Sequence, residues 1–321
     1  MNYYLLFDNK HDNHQFITDR INLSKPLNVI YSPNCKRKIF GWLKGVLIVL
    51  SKSERNDTII CWYDFQAVLC FWICRLMFMR RKIICINILL KNKPTAKNKV
   101  VSCLYKKALL ADNFKASVTS VKYGEWLNSK LGINANYTLI HDVYHETYKY
   151  PHKVEIEPGS VFCGGHNGRD WDFILKVAKA MPDVKFNIVM PFYVYQRYCS
   201  QFTDNINVRY DIPYEEFMKI MCSSQLVCLP LDTEAPAGLI VMFQAAANLK
   251  PIITTETVTT LEYITPERGV TIPNEISIWC SAIKNCFENM EESKKKAVNM
   301  MNYLSENCSE NKFVCGIKMF I

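Results

Sequence analysis

The chain has 321 residues, of which 49% are hydrophobic and 21% charged, and its formal net charge is +9. This length suits two domains, and the apolar content is enough for two buried cores, which excludes an intrinsically disordered chain. No apolar run reaches the about 18–20 residues that a membrane-spanning helix needs. The opening segment 1–8 has no basic stretch ahead of its apolar residues, so we expect no signal peptide and a cytoplasmic location.

The charge is divided unevenly along the chain. Residues 1–150 hold 23 Lys and Arg against 10 Asp and Glu, a net +13, whereas the remainder holds 16 against 20, a net −4. Such asymmetry indicates that the first half meets an anionic partner, and the charge alone leaves nucleic acid, phospholipid and a phosphate-bearing substrate open. Many of the 14 cysteines lie in apolar runs and none forms a C-x-x-C pair, so we expect reduced thiols.

In the first half, short apolar or β-branched segments alternate with helix-like stretches. Strands separated by helices predict a parallel sheet with crossover connections. The predicted strands are 3–7, 27–31, 58–62, 82–90 and 117–120, and the clearest predicted helices are 64–79 and 99–111.

A linker is predicted at 151–159, where Pro151, Pro158 and Gly159 interrupt the pattern. The alternation of strands and helices then restarts, which gives a domain over 1–150, a second domain over 160–300, and a helical segment, 301–321, that can return to the first. The predicted fold class is α/β, with two Rossmann-like doubly wound domains facing across a cleft. Such sheets bind ligands at the carboxyl ends of their strands, so the loops there are the places to look for function. The strands predicted in this half are 160–163, 185–190, 206–210, 226–229 and 251–254.

The stretch 161–171, VFCGGHNGRDW, is the first candidate anion site. Glycines such as Gly164 and Gly165 let backbone N–H groups approach an anion closely, and a helix start adds favourable partial charge. Asn167 lies in the same loop, and Arg169 supplies a guanidinium suited to a diphosphate. The alternative is a plain glycine-rich turn with a surface arginine, because the stretch matches neither G-x-G-x-x-G nor a P-loop.

A second candidate follows strand 226–229, where a small-residue loop leads into a helix. The free N–H groups at that helix start can meet an anion, and Gln244, two turns further on, can reach a ribose hydroxyl with its amide. An ordinary helix start is the alternative for this stretch alone, but two such starts in one domain favour phosphate binding. The candidate residues of this loop are Glu234, Pro236, Ala237, Gly238 and Leu239.

Together, residues 161–264 resemble the donor-binding domain of the GT-B glycosyltransferases of the family-four type. The stretch 244–253, QAAANLKPII, is similar to the end of the family's E-x(7)-E segment, with Gln244 where the second glutamate stands. Glu234 lies two residues ahead of the first glutamate's register, and Gly238 is displaced by one. The closer likeness is therefore to a bacterial subgroup with a shortened form of this segment.

The resemblance implies a glycosyltransferase that moves a sugar from a nucleotide-sugar donor to a saccharide or lipid-linked saccharide acceptor in surface polysaccharide biosynthesis. The two loops would hold the diphosphate, where charge develops during transfer, with no metal and no other cofactor. The nucleobase would lie near Tyr210 and Ile212. Because Gln244 replaces a carboxylate, a relative that binds sugar nucleotides without turnover remains an alternative.

On the acceptor side, two residues follow predicted strands of the first domain. Asp64 is a candidate to contact the reactive hydroxyl, as base or orienter, and His14 lies in the loop region where an acceptor site would open. The D-x-D pair Asp170 and Asp172 has a form that binds metal in another glycosyltransferase architecture, but at a helix start we favour a role with the helix dipole.

Basic residues and aromatic residues interleave over 36–44, KRKIFGWLK. Lys36, Arg37, Lys38 and Trp42 are predicted to face an anionic membrane surface, which would place the protein on the inner face of the membrane as a peripheral protein. A surface helix whose lysines lie over the core is the alternative. A further alternative for the basic first half is that the protein binds nucleic acid. No nucleic-acid-binding motif occurs, however, and we expect no nucleic-acid partner.

Overall fold

The structure is a computed structural model that describes residues 1–8, 14–90 and 96–321. The chain divides into two compact units. The first unit comprises Met1–Val143 with Glu310–Ile321, and the second comprises Tyr144–Ser309. The segment 151–159, expected as a linker, lies inside the second unit, and residues 301–309 stay with that unit while the last twelve join the first.

The first unit is a parallel sheet of six strands with the order β2-β1-β3-β4-β5-β6. The central strand β1, YYLLF, is buried along its whole length, as expected for a strand covered on both faces. The strands are β1 (Tyr3–Phe7), β2 (Leu27–Tyr31), β3 (Thr58–Cys61), β4 (Lys82–Cys85), β5 (Phe114–Val118) and β6 (Tyr137–Leu139), and the helices are α1 (Gln15–Arg20), α2 (Lys38–Lys52), α3 (Asp64–Leu76), α4 (Ala96–Leu109) and α5 (Val121–Leu131).

The second unit repeats this plan with the strand order β12-β11-β10-β7-β8-β9. Its strands are β7 (Glu157–Gly164), β8 (Lys185–Met190), β9 (Ile206–Tyr210), β10 (Ser224–Leu229), β11 (Ile252–Thr255) and β12 (Val270–Ile272). Its helices are α6 (Trp171–Ala180), α7 (Phe192–Tyr198), α8 (Tyr214–Ser223), α9 (Leu239–Ala247), α10 (Thr260–Tyr263), α11 (Ile276–Glu288) and α12 (Met290–Asn307).

Strand order reverses once in each sheet. In the first unit the chain runs from β1 to β2 on one side and then to β3 on the other; in the second, β8 and β9 lie on one side of β7 and β10 on the other. Open α/β sheets bind ligands at such reversal points, because the loops leave adjacent strand ends in opposite directions and open a crevice. The two glycine- and proline-bearing loops found in the sequence follow β7 and β10, so both lie at the reversal point of the second unit.

The second sheet is buried on both faces. Val161 and Cys163 of β7 pack in one core with Trp279 of α11, and Phe162 between them packs in the other with Phe243 of α9. The alternation follows the two-residue period of a strand. The loop after β7 therefore begins from a strand that is held on both sides.

The last helix, α13 (Glu310–Lys318), belongs to the first unit. Its Phe313 and Ile317 share a core with Leu5 and Phe7 of β1 and with α1, and Glu310 pairs with Arg20 at 2.7 Å. Helices α2, α3, α4 and α5 lie in contact, each with the next, and right-handed crossovers place them together on the opposite face of the sheet.

The predicted α/β class with two doubly wound sheets is confirmed. Details differ: the strand predicted at 117–120 begins at Phe114, and the one predicted over 82–90 ends at Cys85. Within the ranges given above, no helix is both long enough and apolar enough to cross a bilayer.

Candidate functional site

Two loops meet at the reversal point of the second sheet. The glycine loop, 164–170, follows β7, and the proline loop, 230–238, follows β10. Their backbones are hydrogen-bonded: the Asp170 N–H donates to the Pro230 carbonyl at 3.0 Å, and the Asp232 N–H donates to the Gly168 carbonyl at 3.0 Å. The two loops, which follow adjacent parallel strands, therefore form one structure.

Three glycines make this contact possible. Gly165, Gly168 and Gly238 have φ angles of +120°, +65° and +74°, in the region that other residues adopt only at a cost. A Cβ added at Gly168 would lie 2.6 Å from the Ala237 Cβ and 2.7 Å from the Thr233 Cγ2, so a larger residue would push the loops apart.

Arg169 lies at the centre of the two loops and is only 4% exposed. Its Nε and Nη2 both donate to the Gly164 carbonyl, at 3.0 and 2.8 Å, which ties the glycine loop to the end of β7. Among the described residues its Nη1 has no hydrogen-bond partner. A Cβ at Gly238 would lie 3.2 Å from that nitrogen, so the open donor is directed to the start of α9.

Burial lowers the pKa of Arg169, while the nearby Cys163 and Asp232 act in the opposite direction. A buried cation with an unsatisfied donor is unfavourable in an empty site and is stabilised when an anion enters. The sequence predicted a guanidinium fork for a diphosphate; in the structure Nε and Nη2 hold the loop, and the buried Nη1 has no partner among the described residues.

The starts of the two helices behind these loops differ. At α6, Asp170 caps the first turn by accepting from the Phe173 N–H at 3.0 Å, so this start already carries a carboxylate. At α9 the cap is Gly238, which offers no side chain, and the first-turn N–H groups keep their partial positive charge. Of the two helix starts, that of α9, next to Arg169, is therefore the better candidate for an anion site.

Gln244 is 4% exposed and lies inside α9. Its Nε2 donates to the Tyr214 hydroxyl at 3.3 Å, and its Oε1 is buried without a partner in the described part of the chain. Tyr214, at the start of α8, is 54% exposed, so the pair reaches from the core to the surface. Sequence reasoning missed Tyr214, although its place directly after the predicted nucleobase region, 210–213, was a usable signal.

The other predicted donor residues are more widely spread. Tyr210 is half-exposed, with its ring 5.0 Å from that of Phe192 and 4.5 Å from that of Tyr195. Ile212 packs against the core on the α9 face of the sheet, and the Glu234 carboxylate accepts from the Val258 N–H at 2.8 Å. Asn167 is exposed at the tip of the glycine loop, Pro236 is half-buried, and Leu239 is buried in the first turn of α9.

Each carboxylate of the D-x-D pair has a structural partner: Asp170 caps α6, and Asp172 pairs with Lys176 at 2.6 Å. In the described part of the chain, no group of three or more His, Cys, Asp or Glu side chains is arranged to hold a metal ion.

In the first unit, Asp64 is 5% exposed and its carboxylate is hydrogen-bonded within the unit. Its Oδ1 accepts from the Phe65 N–H at 2.7 Å and its Oδ2 from the Leu89 N–H at 2.9 Å, and the Tyr105 hydroxyl is also bonded to it. Burial raises the pKa of this carboxyl group. Asp64 thus joins the segments after β3 and β4, and the expectation that it contacts the reactive hydroxyl is corrected to a structural role.

His14 lies at the reversal point of the first sheet, after the undescribed residues 9–13. Its ring centroid is 5.4 Å from that of Phe7 and 5.3 Å from that of Tyr31, and the Tyr31 hydroxyl is 2.8 Å from Nδ1. The imidazole is half-buried and therefore keeps a face toward solvent.

The basic segment at the start of α2 is exposed, with one exception. Lys36, Arg37 and Lys38 face solvent. Trp42 turns inward: its Nε1 donates to Asp8 Oδ1 at 2.6 Å, and its ring centroid is 3.7 Å from that of Phe65. The expectation that Trp42 faces outward is corrected, because its polar edge has a partner within the unit.

The apolar residues that face outward on this segment are Ile39 and Phe40, 61% and 51% exposed. A shallow groove of about 630 Å³ lies beside them, and its lining includes Phe40, Leu43 and Leu47 together with Lys36, Arg37 and Lys44.

No protein-family model matches the chain, and no curated protein matches its sequence. Solved structures do match. HepE from Anabaena, in complex with UDP, is 14% identical, with 99% of this chain and 98% of HepE covered and a TM-score of 0.73. Its complex with UDP-glucose gives 13% identity, full coverage of both chains and a TM-score of 0.72.

Sucrose-phosphate synthase from Thermosynechococcus elongatus is 11% identical, with 99% of this chain and 98% of the synthase covered and a TM-score of 0.77. A glycosyltransferase from Rickettsia africae is 12% identical over 99% of this chain and 98% of its own, with a TM-score of 0.65. These likenesses establish the fold, the GT-B type built from two Rossmann-like α/β units.

Replacing Gly168 by Ala tests the packing of the two loops. We expect Gly168→Ala to lower the free energy of unfolding by about 2–4 kcal/mol, because it adds a steric clash to the cost of a positive φ. Gly159→Ala is the matched control, since Gly159 has nearly the same φ, +66°, and nothing within 4 Å of the added Cβ. Urea denaturation measures the free energy of unfolding of both variants. Equal decreases in the two variants would show that the residues around Gly168 leave room for a Cβ.

Proposed function

We propose that the chain is a glycosyltransferase whose second unit binds a nucleotide-sugar donor. The observation that carries this proposal is the meeting of Gly165, Gly238 and the open Nη1 of Arg169 at the reversal point of the second sheet. These groups form a candidate anion site at the place where doubly wound sheets bind nucleotides. The fold shared with a protein solved in complex with UDP and with UDP-glucose supports the same class of donor.

In the proposed reaction, negative charge grows on the departing nucleoside diphosphate. The N-terminus of α9 and Arg169 would stabilise it, and both are held in place before the substrate arrives, so little reorganisation is needed. Because these groups already compensate the charge, we propose that transfer needs no metal ion and no other cofactor.

The nucleoside would extend from the diphosphate toward α8. Gln244 and Tyr214 supply amide and hydroxyl groups for the ribose, and the unpaired Oε1 of Gln244 can accept from a ribose hydroxyl. The half-exposed Tyr210 and the following residues, 211–213, would lie along the base.

For the acceptor, we propose a saccharide or lipid-linked saccharide used in surface polysaccharide synthesis, bound at the carboxyl edge of the first sheet. His14 is the candidate to contact the reacting hydroxyl, because it is half-exposed and its ring is held between Phe7 and Tyr31. Asp64 is not proposed to contact the reacting hydroxyl, since its carboxylate is buried and hydrogen-bonded.

We expect UDP to raise the melting temperature in the presence of EDTA. A ligand at 100 times its dissociation constant stabilises a protein by about 2.7 kcal/mol, which a thermal-shift assay detects. Arg169→Ala should remove the shift, and Arg169→Lys should reduce it, because an ammonium group cannot bond to Gly164 and the phosphate with the same geometry. Arg197→Ala, an exposed arginine of α7, is the matched control and should keep the full shift. Equal shifts in wild type and Arg169→Ala would remove Arg169 from the site.

Gln244→Ala is expected to weaken donor binding by about 1 kcal/mol, the net value of one hydrogen bond, which is about fivefold in dissociation constant. Gln244→Glu should retain binding and turnover, since a carboxylate also accepts from a ribose hydroxyl. Titration calorimetry measures binding, and release of UDP measures turnover. Donor binding without turnover in wild type would favour the catalytically impaired relative, whereas unchanged binding in Gln244→Ala would place the ribose elsewhere.

The exposed cluster Lys36, Arg37 and Lys38 supports an anionic membrane surface as a partner, since each basic residue near such a surface contributes about 1 kcal/mol. We expect sedimentation with anionic vesicles at low salt and release at 1 M salt, where the Debye length is about 3 Å. Changing all three residues to Glu should abolish sedimentation with the vesicles. The same change at Lys294, Lys295 and Lys296 of α12 is the matched control and should leave sedimentation unchanged. Tight binding to duplex DNA without vesicle binding would instead favour the nucleic-acid alternative.

A further inference from the structure

The turn after α3 exposes three consecutive large apolar side chains. Leu76, Met77 and Phe78 are 73%, 55% and 94% exposed. Exposed arginines, Arg75 and Arg80, stand on either side of this segment. Single exposed apolar residues are ordinary, but a run of three at the tip of a turn marks an interaction site.

The backbone conformation of this turn makes a phenylalanine at position 78 unusual. The Met79 N–H donates to the Cys74 carbonyl at 2.8 Å and the Phe78 N–H to the Arg75 carbonyl at 3.4 Å, which is the Schellman ending of a helix. Phe78 occupies the left-handed position of that motif, with a φ of +54°, where glycine is the usual residue. A phenylalanine there is strained and gains nothing by burial, so folding does not account for it.

The helices around this turn have one sign of charge. Helices α2, α3 and α4 contain eight Lys and Arg residues and a single acidic residue, Asp64, which is buried. Helices α1, α5 and α13 of the same unit carry Asp19, Glu125 and Glu310. The basic residues of α2, α3 and α4 are Lys38, Lys44, Lys52, Arg75, Lys97, Lys99, Lys106 and Lys107.

These three helices form a continuous layer with apolar residues on its outer side. Trp72 of α3 donates from Nε1 to the Leu104 carbonyl of α4 at 3.3 Å, and Lys107 lies 5.8 Å above the same indole ring. Phe40 and Leu47 of α2 and Val100 of α4 are exposed, at 51%, 44% and 63%. The surface thus combines scattered apolar side chains with predominantly basic charge, the exposed acidic residues nearby being Glu54 and Asp112 in the loops after α2 and α4.

We propose that Leu76, Met77 and Phe78 insert into an anionic phospholipid bilayer, with Arg75 and Arg80 at the headgroups and the outer side of α2, α3 and α4 lying along the membrane. Interfacial binding needs both buried apolar side chains and attraction to anionic lipid, and this surface supplies both. A nucleic acid would match the charge but leave Met77 and Phe78 against phosphates. A second copy of the same surface would be repelled by its charge.

This inference deepens the membrane proposal made for the start of α2 and is independent of the sugar-transfer reaction. The α2 cluster supplies charge at the carboxyl edge of the sheet, and the turn after α3 supplies apolar insertion at the opposite edge.

Phe78→Gly is the decisive variant, because glycine relieves the strained φ while removing the apolar side chain. We expect its melting temperature to be equal to or higher than that of wild type, and its affinity for vesicles of phosphatidylcholine and phosphatidylglycerol to fall about tenfold. Met319→Gly removes another apolar residue, 76% exposed, just after α13, and should bind as wild type does. Sedimentation across a lipid titration measures affinity, and size-exclusion chromatography with light scattering measures oligomeric state.

Wild-type affinity in Phe78→Gly, together with loss of binding on changing Lys36, Arg37 and Lys38 to Glu, would overturn the insertion and leave the charge-based membrane contact in place. Absence of vesicle binding by wild type would overturn both the insertion and the charge-based membrane contact. The proposed donor site would still be tested separately, by UDP binding. Conversion of a dimer to a monomer by Phe78→Gly would also overturn the proposal, since the turn would then be a contact between copies.

Discussion

The proposed donor site depends on one buried cation, the guanidinium of Arg169 hydrogen-bonded to the carbonyl of Gly164 at the end of β7. Its two bonds to Gly164 hold the glycine loop, and the backbone bonds from Asp170 and Asp232 join the proline loop to it. Burying a charge in this way is costly unless its donors are satisfied. Nη1, buried beside the start of α9 without a partner among the described residues, is the donor that an anion would satisfy.

The two units have related sheets, yet the groups at their reversal points differ in chemistry. The second unit offers glycines, a helix start and a cation, which suit a phosphate-bearing ligand. The first unit offers a group of aromatic rings, with Phe7 in ring contact with His14, Tyr31 and Trp62. The Asp8 carboxylate, bonded to Trp42, and the exposed cluster 36–38 lie at the same edge. The same topology thus places different chemistry at the strand ends of the two sheets.

The structure also shows where the excess positive charge of the first half lies. Several acidic groups are used inside the fold: Asp64 is buried, and Asp57 accepts from the backbone N–H groups of Asn2 and Glu54. Among the described residues, the basic side chains Lys38, Lys44, Lys52, Arg75, Lys99 and Lys107 of α2, α3 and α4 are exposed, so their charges remain in water. Arg81 is the exception, since it is buried and donates to Ser53.

The sequence by itself determined the fold class and the sheet edge on which the proposed donor site lies. Hydrophobic periodicity identified alternating strands and helices, and glycines after two of those strands marked loops at the carboxyl edge of the sheet. That the two loops meet follows from the strand order, in which β10 lies beside β7. Local pattern also indicated Arg169 and Gln244 as polar residues of that region. These features are fixed by residues close together in the chain.

Only the tertiary structure decided which way individual side chains turn. Asp64 bonds to Leu89 and Trp42 to Asp8, partners 25 and 34 residues away, so no local pattern could show that they point inward. Gln244 meets Tyr214 across 30 residues for the same reason. The exposure of Phe78 depends on where α3 ends and on which of its faces the sheet covers. Side-chain direction follows from packing between distant segments, and periodicity within one segment carries no information about those partners.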